Sequence, residues 1–253
     1  MPRSSGFAAR SIQIAFLAIV AGAWFWVTKT GSVSRVFLPP PDQVWAAFVK
    51  LIETGQFWSP LLVTLGTIAK AYAIAVVTGV LVGYLVTRSR FLTDVFEPIV
   101  AGIFSIPITL FFPLFILFFG IGTGSKVAYG AVYGFFPVAL NTIAGLSGVS
   151  PHYLRAARSM GLSRWGAFRH VLMPSAFPVI VNGLRIGFFI AFASVLGGET
   201  LSSAAGIGRN IALSAELMES ARMYAWIVFV ILTAITLNVL VSQVEQRGGR
   251  AYG

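Results

Sequence analysis

The 253 residues include no cysteine, which excludes disulfides, Cys-ligated zinc and iron–sulfur clusters. Charge is scarce as well: 10% of residues are Asp, Glu, Lys or Arg, against about 25% in soluble domains. A chain this poor in charge and 57% hydrophobic has too little polar surface to meet water on all sides. Acids are rarer still, eight in all, and none pairs with another in a way that suggests general acid–base work. His152 and His170 lack carboxylate company, and no Ser/His/Asp grouping stands out, so neither catalysis nor a metal site is expected. A Gly-x-x-x-x-Gly-Lys-Ser/Thr phosphate loop is also missing. Gly120-Ile-Gly-Thr-Gly-Ser-Lys126 comes near it but lacks the Gly-Lys pair, and reads as a turn.

Long apolar runs are abundant. No charged residue occurs in 11–28, 98–125, 127–154 or 223–244. Each run approaches or exceeds the ~18–20 residues that cross a bilayer core. In hydrocarbon every backbone polar group must be satisfied within the segment, so such runs are helices. The fold expected is all-α: a polytopic membrane protein of one domain with six spans, at roughly 9–28, 60–87, 95–119, 125–148, 174–198 and 222–244. Arg3 and Arg10 before the first run resemble a signal peptide's charged start. Yet the run is long enough to span, and a chain with later spans needs no cleavage.

The charges then orient the chain. With the N-terminus inside, inner segments hold ten Lys and Arg and outer segments six. Basic residues collect on the cytoplasmic side, so both termini are expected there, in a bacterial inner membrane. This also accounts for the net charge of +10 without nucleic acid. After span 1, Pro39-Pro40-Pro41 stops any helix and Asp42 can cap a new one. Val44, Trp45, Phe48, Leu51 and Ile52 recur at helical spacing, predicting an amphipathic interfacial helix over roughly 42–54. Gly79-x-x-x-Gly83, Gly130-x-x-x-Gly134 and Gly183-x-x-x-Gly187 mark close helix packing without naming the partner helix.

The inner segment 151–173, between spans 4 and 5, has its own grammar. Ser150-Pro151 caps and opens a helix, Gly161 ends it in a left-handed turn, and Ser163 caps a second short helix before Pro174 starts span 5. The result is a compact elbow standing out of the membrane. Its Ala156-Ala157 face is small enough for another protein's groove, and its arginines suit an acidic partner.

These residues resemble the EAA loop of binding-protein-dependent ABC importer permeases, a pattern of Glu-Ala-Ala, three residues, Gly, nine residues, then Ile-x-Leu-Pro. Ala156, Ala157, Gly161 and Pro174 stand in that register, with Val171 and Met173 as conservative replacements and Arg155 in place of the glutamate. The chain is similar to the nitrate/sulfonate/taurine branch from about Leu38 to Gln246. The matching segments include Leu38-Pro39-Pro40-Pro41, Ile106-Pro107, Phe119-Gly120-Ile121-Gly122, Asn141-Thr142 and Gly183-Leu184-Arg185. The resemblance implies an ATP-binding cassette ATPase gripping Arg155, Ala156, Ala157, Gly161, Arg164 and Pro174. It also implies a second permease chain and an external solute-binding protein. ATP would be used by the ATPase and no cofactor bound by this chain.

Lys70 and Arg185 fall inside spans 2 and 5, where an ionised group faces a cavity or a partner. Two readings stand: lining for a solute path, together with Phe111, Phe115 and Asn141, or a structural role through carbonyls and helix ends. The resembled family carries basic residues at both places while its solutes vary, which favours structure. Pro107 and Pro113 predict a kink in span 3, whose phenylalanines face lipid and core or form a hydrophobic gate. Glu199, Arg209, Glu216 and Glu219 are candidate contacts for the binding protein. A stand-alone secondary transporter or channel is the alternative; internal repeats or midplane acids would favour it, and neither occurs. A non-transporting scaffold would not need the elbow.

Overall fold

The computed structural model describes residues 4–249, with side-chain surroundings for 11–240 and 242–243; Arg3 and Arg250, which carry part of the charge bias, lie outside them. Helices are the only regular elements among the described residues. They are α1 (Ser4–Lys29), α2 (Pro41–Glu53), α3 (Trp58–Val86), α4 (Arg90–Ser105), α5 (Phe112–Phe119), α6 (Thr123–Ser147), α7 (Pro151–Ser159), α8 (Arg164–Ala167), α9 (Met173–Leu201), α10 (Ile207–Glu216) and α11 (Ser220–Gly249). Five stretches are long and apolar enough to cross a membrane: Ser11–Lys29, Trp58–Val86, Thr123–Ser147, Arg164–Leu201 and Ser220–Leu240. The pair Arg90–Ser105 and Ile108–Phe119, bent by 75°, passes the same test only when its two helices are taken together, and counts as a sixth if they form one span.

The bend has a covalent cause. Pro107 has no N–H to donate, and the residue before it is forced out of the α region, so Ile106 is extended at φ −74°, ψ 132°. A single 3-10 turn, Ile108–Phe111, follows before α5. Tyr133 of α6 braces it, its hydroxyl accepting the Thr109 N–H at 3.1 Å. Pro107 thus breaks span 3 outright, where a kink was expected, while Pro113 sits in the first turn of α5.

By packing, the chain divides into two compact units. The first takes the residues up to Trp58 together with Asn210–Thr233. Within it, Trp24 Nε1 donates to the Pro39 carbonyl at 3.1 Å and Tyr224 Oη to the Phe37 carbonyl at 3.2 Å. Ser220 Oγ bonds the Val36 carbonyl. These bonds tie the chain after α1 to the first turns of α11. Helix α2 turns Val44 and Leu51 inward and leaves Trp45 and Ile52 exposed. Asp42 is not its cap: Pro40 holds that position without any side-chain bond, and Asp42 lies in the first turn.

The second unit, Ser59–Arg209 with the residues from Ala234 on, is built around α6. Here the small residues have definite partners. A Cβ on Gly79 or Gly83 would meet Val138 or Thr142 of α6 within 3 Å. Gly130 and Gly134 face Ala71 and Ala75 of α3 on one side and Ala191 of α9 on the other. Gly187 lies against Val138 and the Gly134 carbonyl. With no water to drive lipid-embedded helices together, such close backbone approach is what holds α3, α6 and α9 in place.

Candidate functional site

The elbow is assembled from its own caps. Ser150 Oγ accepts the His152 N–H at 3.3 Å and Ser163 Oγ the Gly166 N–H at 3.1 Å. Gly161 has φ +81°, which closes the turn through the Leu162 N–H to the Ala157 carbonyl at 3.1 Å. A π-helical turn, Phe168–Leu172, then leads into α9, with Pro174 in its first turn. Phe168 stacks on Trp165 with ring centres 5.4 Å apart and meets Tyr84 of α3 edge-on at 6.0 Å, seating the elbow on the end of that span.

The two alanines part company here. Ala156 is exposed, but Ala157 is 4% exposed and packs inside the elbow. Ala157 is therefore not itself offered to a groove. The outward face consists of Ala156, Tyr153, Met160 (79% exposed) and Trp165. Arg155, Arg158 and Arg164 are also exposed. Arg155 Nη2 lies 3.0 Å from His152 Nδ1.

The residues expected along a path fall into separate places. Lys70 lies at the surface of the unit, beside a cavity of about 610 Å³ that it shares with Phe115, Phe119 and the start of α6. Phe111 and Phe115 line a second, wholly apolar cavity of about 440 Å³. Asn141 and Arg185 belong to neither. Asn141 Nδ2 donates to the Pro137 carbonyl at 2.8 Å, and its Oδ1 lies 3.5 Å from Asn182 Nδ2. Arg185 Nη2 donates to Asn238 Oδ1 of α11 at 2.9 Å.

Glu199 is the clearest departure from expectation. Instead of a partner-facing position, its side chain lies in the interior, 2% exposed. Thr64 Oγ1 donates to it from 2.9 Å of either oxygen, and the Gly208 N–H donates at 2.9 Å. Lys126, expected in a turn, is 1% exposed, its stem packed against Gly198. Arg209 is partly buried at the start of α10. Glu216 and Glu219 belong to the other unit and are exposed. Glu219 pairs with Arg222 at 3.3 Å. Thr64, Gly206 and Gly208 escaped the sequence reading; the signal for the two glycines was the Gly206-Ile207-Gly208 triplet a short loop after Glu199, and Thr64 had none.

Residues 75–248 match the family described as binding-protein-dependent transport system inner membrane component. The chain belongs to that family. Among its relatives, the taurine transport system permease protein TauC of Escherichia coli (strain K12) is 28% identical over 242 residues, covering 94% of this chain and 88% of its own. The formylaminopyrimidine transport permease protein ThiX of Halalkalibacterium halodurans is 30% identical over 184 residues, covering 72% of this chain and 73% of its own. In fold, a chain of the inward-facing MetNI methionine ABC transporter is similar at a TM-score of 0.61 and 22% identity, over 76% of this chain and 94% of that one. The protein is a multi-pass permease subunit of an ABC importer, with the transport of a small solute as its function.

Proposed function

We propose that this permease takes up a small solute delivered by an external binding protein and passes it by alternating access between itself and a second permease chain. A separate ATPase subunit would drive the cycle by gripping residues 151–173, with both termini on the ATPase side. One observation carries the reading: the elbow presents Tyr153, Ala156, Met160 and Trp165 outward, flanked by exposed arginines. Tyr153 and Met160 precede the stretch Arg164–Leu201, and large apolar side chains outside the spans stay exposed at a cost, which a partner's groove removes. The arginines favour a groove with an acidic rim.

Reconstitution of the transporter in liposomes tests this. Ala156→Glu places an unpaired carboxylate in the buried contact, at a cost of several kcal/mol, which weakens docking by about two orders of magnitude. The ATPase should fail to co-purify and uptake should fall to background. The external binding protein should hold its solute unchanged. Because Ala156 is exposed, the permease's own thermal stability should not move. Normal uptake by Ala156→Glu would overturn the elbow as the coupling element.

A further inference from the structure

A carboxylate buried at the end of a membrane-spanning helix is tolerated only when donors meet it. Glu199 is met from two other parts of the chain: the Thr64 hydroxyl of α3 and the Gly208 N–H at the start of α10. Thr64 Oγ1 also accepts the Ile207 N–H at 2.9 Å, so one hydroxyl joins all three elements. Gly206, at φ +106°, lies so close that a side chain there would strike the carboxylate. Of the loop between α9 and α10, only the last residue, Gly206, is buried. Leu201, Ala204 and Ala205 are exposed, and Ser203 Oγ bonds the Ala205 carbonyl within its own turn. The corner is shut onto α3 by polar bonds, which lapse once their atoms move about an ångström apart.

Lys126 offers the carboxylate a second position. Its stem crosses Gly198, the residue before Glu199, with Cγ 3.2 Å from where a Cβ would stand. Its ammonium donates to the carbonyls of Ile121 and Gly122. An ammonium has three donors, and the two carbonyls account for two of them. A Glu199 that leaves Thr64 and Gly208 therefore moves toward a countercharge instead of being stranded. The helix that carries it, α9, begins at Met173, where the elbow ends, and runs unbroken for 29 residues, about 43 Å.

We propose that Glu199 is the bolt of a two-position latch. Bonded to Thr64 and Gly208, it shuts the α9–α10 corner onto α3. Released toward Lys126, it lets the corner open when the elbow end of α9 is driven, a step that rests on the coupling role given to residues 151–173.

Because the chain has no cysteine, Ile207→Cys supplies a single reporter at a site only 2% exposed. The assembled transporter, with its ATPase and binding protein in liposomes, is treated with a soluble maleimide. Labelling should be slow at rest and speed up during ATP turnover with binding protein present. Thr64→Val removes the shared hydroxyl and should raise the resting rate roughly tenfold, whereas Thr64→Ser should keep it at the native value. Lys126→Met removes the release position, so labelling should stay slow during turnover. Should Thr64→Val fail to insert, the Lys126→Met arm decides alone. Resting rates indifferent to Thr64→Val, or fast turnover labelling in Lys126→Met, would overturn the latch. A latch that responds to Thr64 while native labelling ignores ATP would stand, and would overturn the drive through the elbow instead.

Discussion

At Gly161 a single backbone angle decides the shape of the elbow. A β-branched residue at φ +81° costs about 1–2 kcal/mol, and no neighbour stands within 4 Å of the added Cβ to complicate the result. Gly161→Val should therefore insert normally but misplace the outward face, losing ATPase association in a pull-down while thermal stability falls only slightly. Gly83 is the opposite case. Its added Cβ would meet Thr142 Cβ at 2.6 Å between two packed spans. Gly83→Leu should cost about 1–3 kcal/mol of packing, read as a lower unfolding temperature in detergent, with the elbow intact. Of these residues, Gly161 was legible in the sequence because a glycine just past a capped helix reads as its left-handed terminator. Glu199 was not. Its partners Thr64 and Gly208 are 135 and 9 positions away, and no local pattern reports a hydrogen bond to a distant span. Its charge alone placed it on the surface, where an acid without a visible partner belongs.

Helices with a covalent or periodic signal emerged close to their expected bounds, and elements set by tertiary contact did not. Apolar length marked α3, α6 and α9, since lipid leaves the backbone no choice but to pair with itself. Ser150 and Ser163 acted as the caps their chemistry suggested. Asp42 did not, because Pro40 already fixes the entry to α2. The π-turn Phe168–Leu172 carries no sequence signature; it follows from seating Phe168 between Trp165 and Tyr84. In the third span, Pro107 announced a disruption but not a 75° bend, whose extent depends on Tyr133 holding the freed Thr109 N–H. Tyr133→Phe should remove about 1 kcal/mol of that support. Amide exchange at Thr109 should rise in this variant while exchange in the middle of α6 stays unchanged; equal rates at Thr109 would show that the brace is idle.

For the molecule as a whole, the proposed function requires one placement: residues 151–173 and Glu199, near the two ends of α9, lie on opposite sides of the bilayer. Helix α9 connects the two, from Met173 at the elbow to Leu201 beyond Glu199. Its length exceeds the ~30 Å hydrocarbon core, so one continuous helix, with Pro178 inside it, reaches from the elbow to the corner at its far end. The coupling role, the delivery of solute from outside and the direction of transport all depend on this placement. Fusions of a reporter that works only in the cytoplasm test it directly, one near Arg164 and one near Ala215, which is exposed on α10. Activity at Arg164 and silence at Ala215 are the predicted result; the reverse pattern, or activity at both, would contradict the orientation and the elbow's role with it.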